Sequence, residues 1–207
     1  MDSRAIRSEG WHLFPRPYIG YKLFNSLFLG LSVGTIFVIY KPLDPSVYSL
    51  GGIALALAML AIAQLYGRIM TLPWFFRISL LVELVVLGMV LWFLAAPYTW
   101  LTAMLVYAGY QLTFSFGSYL VRAETLALDD DELLRRVDSA KQIGYLLGMA
   151  ASWLFYKLLE HRGITASEAK VYDLHWLLLG CELVIIFLLV KSFGRESRRS
   201  AVGGRQS

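Results

Sequence analysis

Polar positions along the chain gather in a few short clusters, and the intervals between them are almost wholly apolar. Six such intervals, at 21–40, 47–66, 74–95, 98–121, 142–159 and 174–193, are each close to the ~20 residues a helix needs to cross a bilayer core. The expected fold class is therefore an all-α membrane protein, a six-transmembrane-helix bundle over 21–193. Pro42 and Pro45 mark the first turn and Pro97 the third, and neither turn has room for a further domain. Residues 1–20 form a polar, basic segment before the first interval, and 194–207 a basic Gly/Ser-rich tail of the composition expected to be disordered. No small-residue cleavage site closes the first interval, so it is expected to act as an uncleaved anchor.

The longest polar interruption, 122–141, reads as an amphipathic connector. Asp129, Asp130, Asp131 and Glu132 precede Arg135 and Arg136, an order that suits both the helix macrodipole and i,i+4 pairing. Beyond it, Ala140, Gly144, Gly148 and Ser152 recur every fourth residue, so their small side chains share one helix face. Such a stripe lets a neighbouring helix backbone approach closely, and Gly144, Gly148 and Ser152 are expected to pack against another helix.

Composition sharpens this picture. A hydrophobic content of 57% and a mean hydropathy of +0.58 exceed those of ordinary soluble domains. A single cysteine, Cys181, precludes an intrachain disulfide, and His12, His161 and His175 lack metal-ligand spacing. No phosphate loop, nucleophile elbow or cofactor box is present, so neither a metal nor a cofactor is expected and enzymatic chemistry is disfavoured. The net charge of +4 sits beside apolar intervals and reports membrane topology instead of nucleic-acid binding. With the N-terminus placed inside, fifteen Lys and Arg fall on the cytoplasmic side and four outside (Lys41, Lys157, Arg162, Lys170), which puts both termini in the cytoplasm. Trp74, Trp100, Trp153 and Trp176 lie near interval ends, as interfacial anchors do.

Two stretches carry a family likeness. Ser115-Phe116-Gly117-Ser118 followed by Arg122-Ala123-Glu124 and Asp129, then a charged connector and a glycine-bearing helix, resembles the fourth and fifth helices of the major facilitator superfamily. Between the second and third intervals the family carries a Gly and then Ala-Asp-Arg-x-Gly-Arg-Arg/Lys. Here Ala63-Gln64-Leu65-Tyr66-Gly67-Arg68-Ile69 keeps the Gly-Arg, with Gln64 in place of Asp, Ile69 in place of a base and Leu60 in place of the first Gly. The resemblance covers most of 20–193 and implies the N-terminal six-helix half of a transporter. It also implies a cytoplasmic latch between Arg68 and an acid after the fourth helix, Glu124.

Ionisable groups inside the intervals are the candidates for function. Glu83 and Glu182 lie nine and eight residues into their intervals, ~12–14 Å deep at 1.5 Å per residue, near the midplane. A carboxylate there must be neutral, paired or wet, and either binds a proton or solute or bonds a neighbouring helix. His175, two turns before Glu182 on the same face, is a candidate proton donor at the outer mouth. Asn25, Gln64 and Gln111 are neutral polar groups that either line a cavity or bond across helices.

The expected function is secondary transport of a small solute, proton-coupled through Glu83 and Glu182, by a homodimer or by pairing with a second six-helix half. The expected location is a bacterial cytoplasmic (inner) membrane, with the lipid bilayer itself the first partner. A substrate-capturing subunit of a larger transport complex and a non-transporting scaffold or assembly factor stay open beside it. Topology is tested by cysteine labelling in intact cells carrying Cys181→Ser. An impermeant reagent should modify Arg162→Cys and spare Arg198→Cys, and the reverse pattern would overturn the orientation.

Overall fold

The computed structural model describes residues 6–195. In chain order its elements are β1 (Trp11–Leu13), α1 (Pro15–Ser32), α2 (Thr35–Ile39), α3 (Pro45–Gln64), α4 (Tyr66–Ile69) and α5 (Leu72–Ala95). They continue with α6 (Trp100–Ser115), α7 (Gly117–Ala127), α8 (Asp131–His161), α9 (Ser167–Ser192) and β2 (Phe193–Arg195).

Local chemistry sets the helix ends. Pro15 and Pro45 open α1 and α3, where a missing N–H costs nothing. The first free amides of α3, α5, α6 and α8 are capped by the side chains of Asp44 (2.8 Å to Ser46 N), Thr71 (3.4 Å to Trp74 N), Thr99 (3.0 Å to Thr102 N) and Asp130 (3.2 Å to Glu132 N). α8 stops at Gly163, which takes φ +83°; its N–H donates to Glu160 O and that of Ile164 to Leu159 O, the paired bonds of a glycine-terminated helix.

The protein is mostly helical, and three helices, α3, α5 and α9, are long and apolar enough to cross a membrane. α1 is prolonged by α2, and α6 by α7 after a joint at Phe116. Three expected boundaries are corrected. The first helix begins at Pro15, inside the segment read as polar, because two prolines favour its first turn. Residues 122–141 are not one connector: α7 runs to Ala127 and α8 starts at Asp131, so the charges extend two long helices. Of the tail, Gly194 and Arg195 continue from Phe193 as a strand that pairs antiparallel with Trp11–Leu13, whereas 196–207 lie outside the described residues.

Packing is organised around α1, which lies against α8 and α9, while α6 lies against α3 and α5, and α5 against α9. Exchanging the first three long helices with the last three (α1 with α6, α3 with α8, α5 with α9) maps these main contacts onto themselves. The α1–α8 contact is backbone on backbone. A Cβ added at Gly144 would sit 2.1 Å from Leu23 O, one at Gly148 2.2 Å from Leu27 O, and one at Gly30 2.4 Å from Tyr145 O. Ser152 continues this buried stripe on α8. At the opposite extreme α3 buries no side chain, and Phe37, Leu50, Ile53, Leu57, Leu60, Leu146 and Trp153 all point outward. A surface so apolar suits hydrocarbon as its solvent.

The N-terminal residues strap the helix ends at that side of the bundle. Ile6 N–H donates to Leu126 O (3.2 Å), Leu72 N–H to Arg7 O (2.9 Å) and the Arg7 guanidinium to Gly67 O (2.9 Å). Trp11 then packs at a tilt against Phe76, and Phe193 meets Tyr18, Phe75 and Phe76. Three-residue strands without alternation give no sequence signal, so this strap is visible only in three dimensions.

Backbone contact leaves no room for larger side chains on α8. Gly144→Leu or Gly148→Leu should cost at least ~1–3 kcal/mol and lower the melting temperature in detergent. Gly180→Leu, with nothing within 4 Å of an added Cβ, should leave it unchanged. Equal melting temperatures for all three would show that α1 and α8 are not in contact.

Candidate functional site

The contact of α5 with α9 sets Glu83 and Glu182 as electrostatic neighbours inside the bundle, with exposures of 2% and 0%. α1 completes the site from a third side. Tyr21 donates its hydroxyl to Glu83 Oε1 at 2.6 Å, and Asn25 Nδ2 donates to the same oxygen at 3.1 Å. Both Glu182 carboxylate oxygens are buried without a hydrogen-bond partner among the described residues. The neighbouring Cys181 thiol reaches Phe24 O at 3.7 Å. A buried carboxylate without donors is the costly arrangement in a protein interior, and protonation or hydration of the group relieves that cost.

A second cluster lies one helical turn along α1, beyond the fourth apolar interval. Glu124 of α7 accepts from the Tyr18 hydroxyl at 2.8 Å and pairs with Lys22 at 2.5 Å; its other oxygen pairs with Lys141 of α8, which also meets Asp138 at 3.1 Å. Burial pushes the Glu124 carboxyl up, but Lys22 and Lys141 together outweigh it and hold the group below the usual carboxylate range. The latch implied by the family likeness is thus corrected: Glu124 is occupied by Lys22 and Lys141, and Arg68 is not brought to it. Lysines on α1 and α8 reach Glu124 because those helices touch, whereas Arg68 sits in the exposed turn of α4.

The remaining candidates separate. His175 stacks on Phe93 with ring centres 3.8 Å apart, its Nδ1 lies 2.7 Å from Val171 O, and it lines a cavity of about 20 Å³ with Ser32, Thr35 and Tyr110. That volume is about one water. Gln111 has a buried Oε1 without a partner among the described residues, and Gln64 is exposed at the end of α3; neither joins the carboxylates. Tyr18, Tyr21, Lys22 and Lys141 were not singled out from the sequence. The signal was present for three of them: positions 18, 21, 22 and 25 fall on one helical face.

No known family model, curated protein or solved structure matches this chain. The likeness to major facilitator transporters is therefore one of pattern, and the site is interpreted from its own chemistry.

Removing Glu124 takes the carboxylate partner from Lys22 and leaves Lys141 with Asp138. Glu124→Gln should cost on the order of 3 kcal/mol near neutral pH. Because the folded-state carboxyl is held below its usual value, its stabilisation is present above that value and disappears as pH falls through the lowered one. The stability gap between wild type and Glu124→Gln, followed by chemical unfolding in detergent, should close on acidification. A gap independent of pH would show that Glu124 is not ionised in the folded protein.

Proposed function

We propose that this chain is a six-span transport unit for a small solute, with both termini cytoplasmic, working as a homodimer or with a second six-helix half, and that Glu83 and Glu182 couple transport to protons. The observation that carries this reading is the carboxylate pair: two acids sealed inside a bundle with a hydrocarbon-like surface, without a basic group bonded to either among the described residues. Two carboxylates close enough to feel one another's charge resist ionising together, and in a membrane interior each is stable only when neutral, paired or wet. The pair accordingly keeps at least one proton. Tyr21 and Asn25 give Glu83 the donors a charge requires, so Glu83 is the member that ionises when water reaches the site; Glu182, lacking donors, retains its proton. The symmetric exchange of the first and last three long helices gives further support, since transporters are commonly built from internal repeats with the site at the repeat interface. The bare apolar flank of α3 offers area to lipid or to a second unit.

Thermal stabilisation of the purified chain across panels of amino acids, sugars and nucleosides selects a solute, which is then followed into liposomes with an imposed pH gradient. Wild type should accumulate it. Glu83→Gln should insert equally, keep downhill exchange and lose accumulation. Equal accumulation would remove Glu83 from coupling, and stabilisation by none of the solutes would favour a scaffold.

A further inference from the structure

Four polar side chains, Tyr18, Tyr21, Lys22 and Asn25, occupy the face of α1 that looks into the bundle, and they join two sites that are otherwise separate. Tyr21 and Asn25 bond Glu83, whereas Tyr18 and Lys22 bond Glu124. Lys22 stands between them. Its ammonium is 2.5 Å from Glu124, 5.5 Å from the centre of the Tyr18 ring and 5.2 Å from that of Tyr21, whose hydroxyl is the donor to Glu83. Only 15% of the Lys22 side chain is exposed, so its charge is poorly screened and is felt by both acids.

We propose that Lys22 is a counter-ion shared between Glu124 and Glu83, so that the protonation of the Glu83–Glu182 pair sets how firmly α1 is joined to α7. With Glu83 protonated, the Lys22 charge belongs to Glu124 and ties α1 to α7. When the Glu83 carboxyl loses its proton to entering water, a second negative charge competes for the same ammonium, one turn away along α1. Lys141 stays on Glu124 and keeps α7 on α8. The link that weakens is therefore the Lys22–Glu124 ion pair between α1 and α7, with Tyr18 left as the α1 donor to Glu124. The ionisable groups facing this arrangement are Tyr18, Tyr21 and Lys22 from α1, Glu83 from α5, Tyr110 from α6, Glu124 from α7, Lys141 and Asp138 from α8, and Cys181 and Glu182 from α9. Of the two acids in the pair, Glu83 is the one that carries donors ready for a charge. The device rests on the proton-binding reading of the pair, but it makes a claim about geometry that does not require a solute.

The test uses the full chain in lipid nanodiscs with Cys181→Ser and spin labels at the exposed positions Arg16 (α1) and Arg122 (α7), with Arg122 and Arg136 (α8) as the control pair. Wild type should show a second, longer 16–122 distance whose ratio to the first rises with pH, by no more than about tenfold per unit because one proton is involved. The 122–136 distance should not move. Glu83→Gln should hold the short 16–122 distance throughout, and Lys22→Gln should remove the pH response. An invariant wild-type distance, or a response that persists in Glu83→Gln, would overturn the proposal even if Lys22→Gln fails to fold. A responding distance without solute accumulation in liposomes would instead sink the transport reading and leave the shared counter-ion standing.

Discussion

Charge held inside a bundle with an apolar exterior is the constraint on which the rest of this structure depends. Glu83, Glu182 and Glu124 cannot face hydrocarbon, so three helices must turn them inward, and α1 must present the partners. That requirement explains why an apolar helix carries Tyr18, Tyr21, Lys22 and Asn25 on its buried side. It also explains why α8 meets α1 through glycines. Lys141 reaches Glu124 beside Lys22 because Gly144 and Gly148 let the two backbones touch.

The two acidic clusters on α1 are chemically unlike, and the difference suits two tasks. Glu124 is saturated: a hydroxyl and two ammonium groups surround it, an arrangement that joins α1, α7 and α8. The Glu83–Glu182 pair is unsaturated, with two donors on one acid and none on the other among the described residues. Saturated networks rigidify, whereas an unpaired buried polar group costs free energy unless it changes state. The strap of residues 6–14 across the helix ends adds backbone bonds on the same side as the saturated cluster, and the cavities lined by α2 and α9 lie toward the other end.

Helix existence was legible from hydropathy, because 20-residue apolar runs between proline-marked turns have few alternative readings. The inward position of Glu83 and Glu182 was legible for the same reason, a carboxylate in an apolar run having nowhere else to go. Their adjacency was not legible, since it depends on α5 touching α9, two helices some ninety residues apart in the chain. The spacing of Gly144 and Gly148 announced a close contact but not its partner, α1. Glu124 departs from the family pattern: the likeness implies a loop arginine there, yet the helices deliver Lys22 and Lys141. Ends were the least legible, because Pro15 starts a helix inside a polar segment and β1 and β2 are too short to alternate.

The central claim is that the buried acid pair keeps a proton near neutral pH. Infrared spectra of the chain in lipid nanodiscs, titrated from about pH 5 to about pH 9, read protonated carboxyl groups directly. The account predicts a carboxylic-acid carbonyl band that persists at neutral pH and is lost in Glu182→Gln, with a second component that titrates in wild type and is missing from Glu83→Gln. Spectra with no protonated carboxyl at neutral pH, or a band untouched by either substitution, would contradict it.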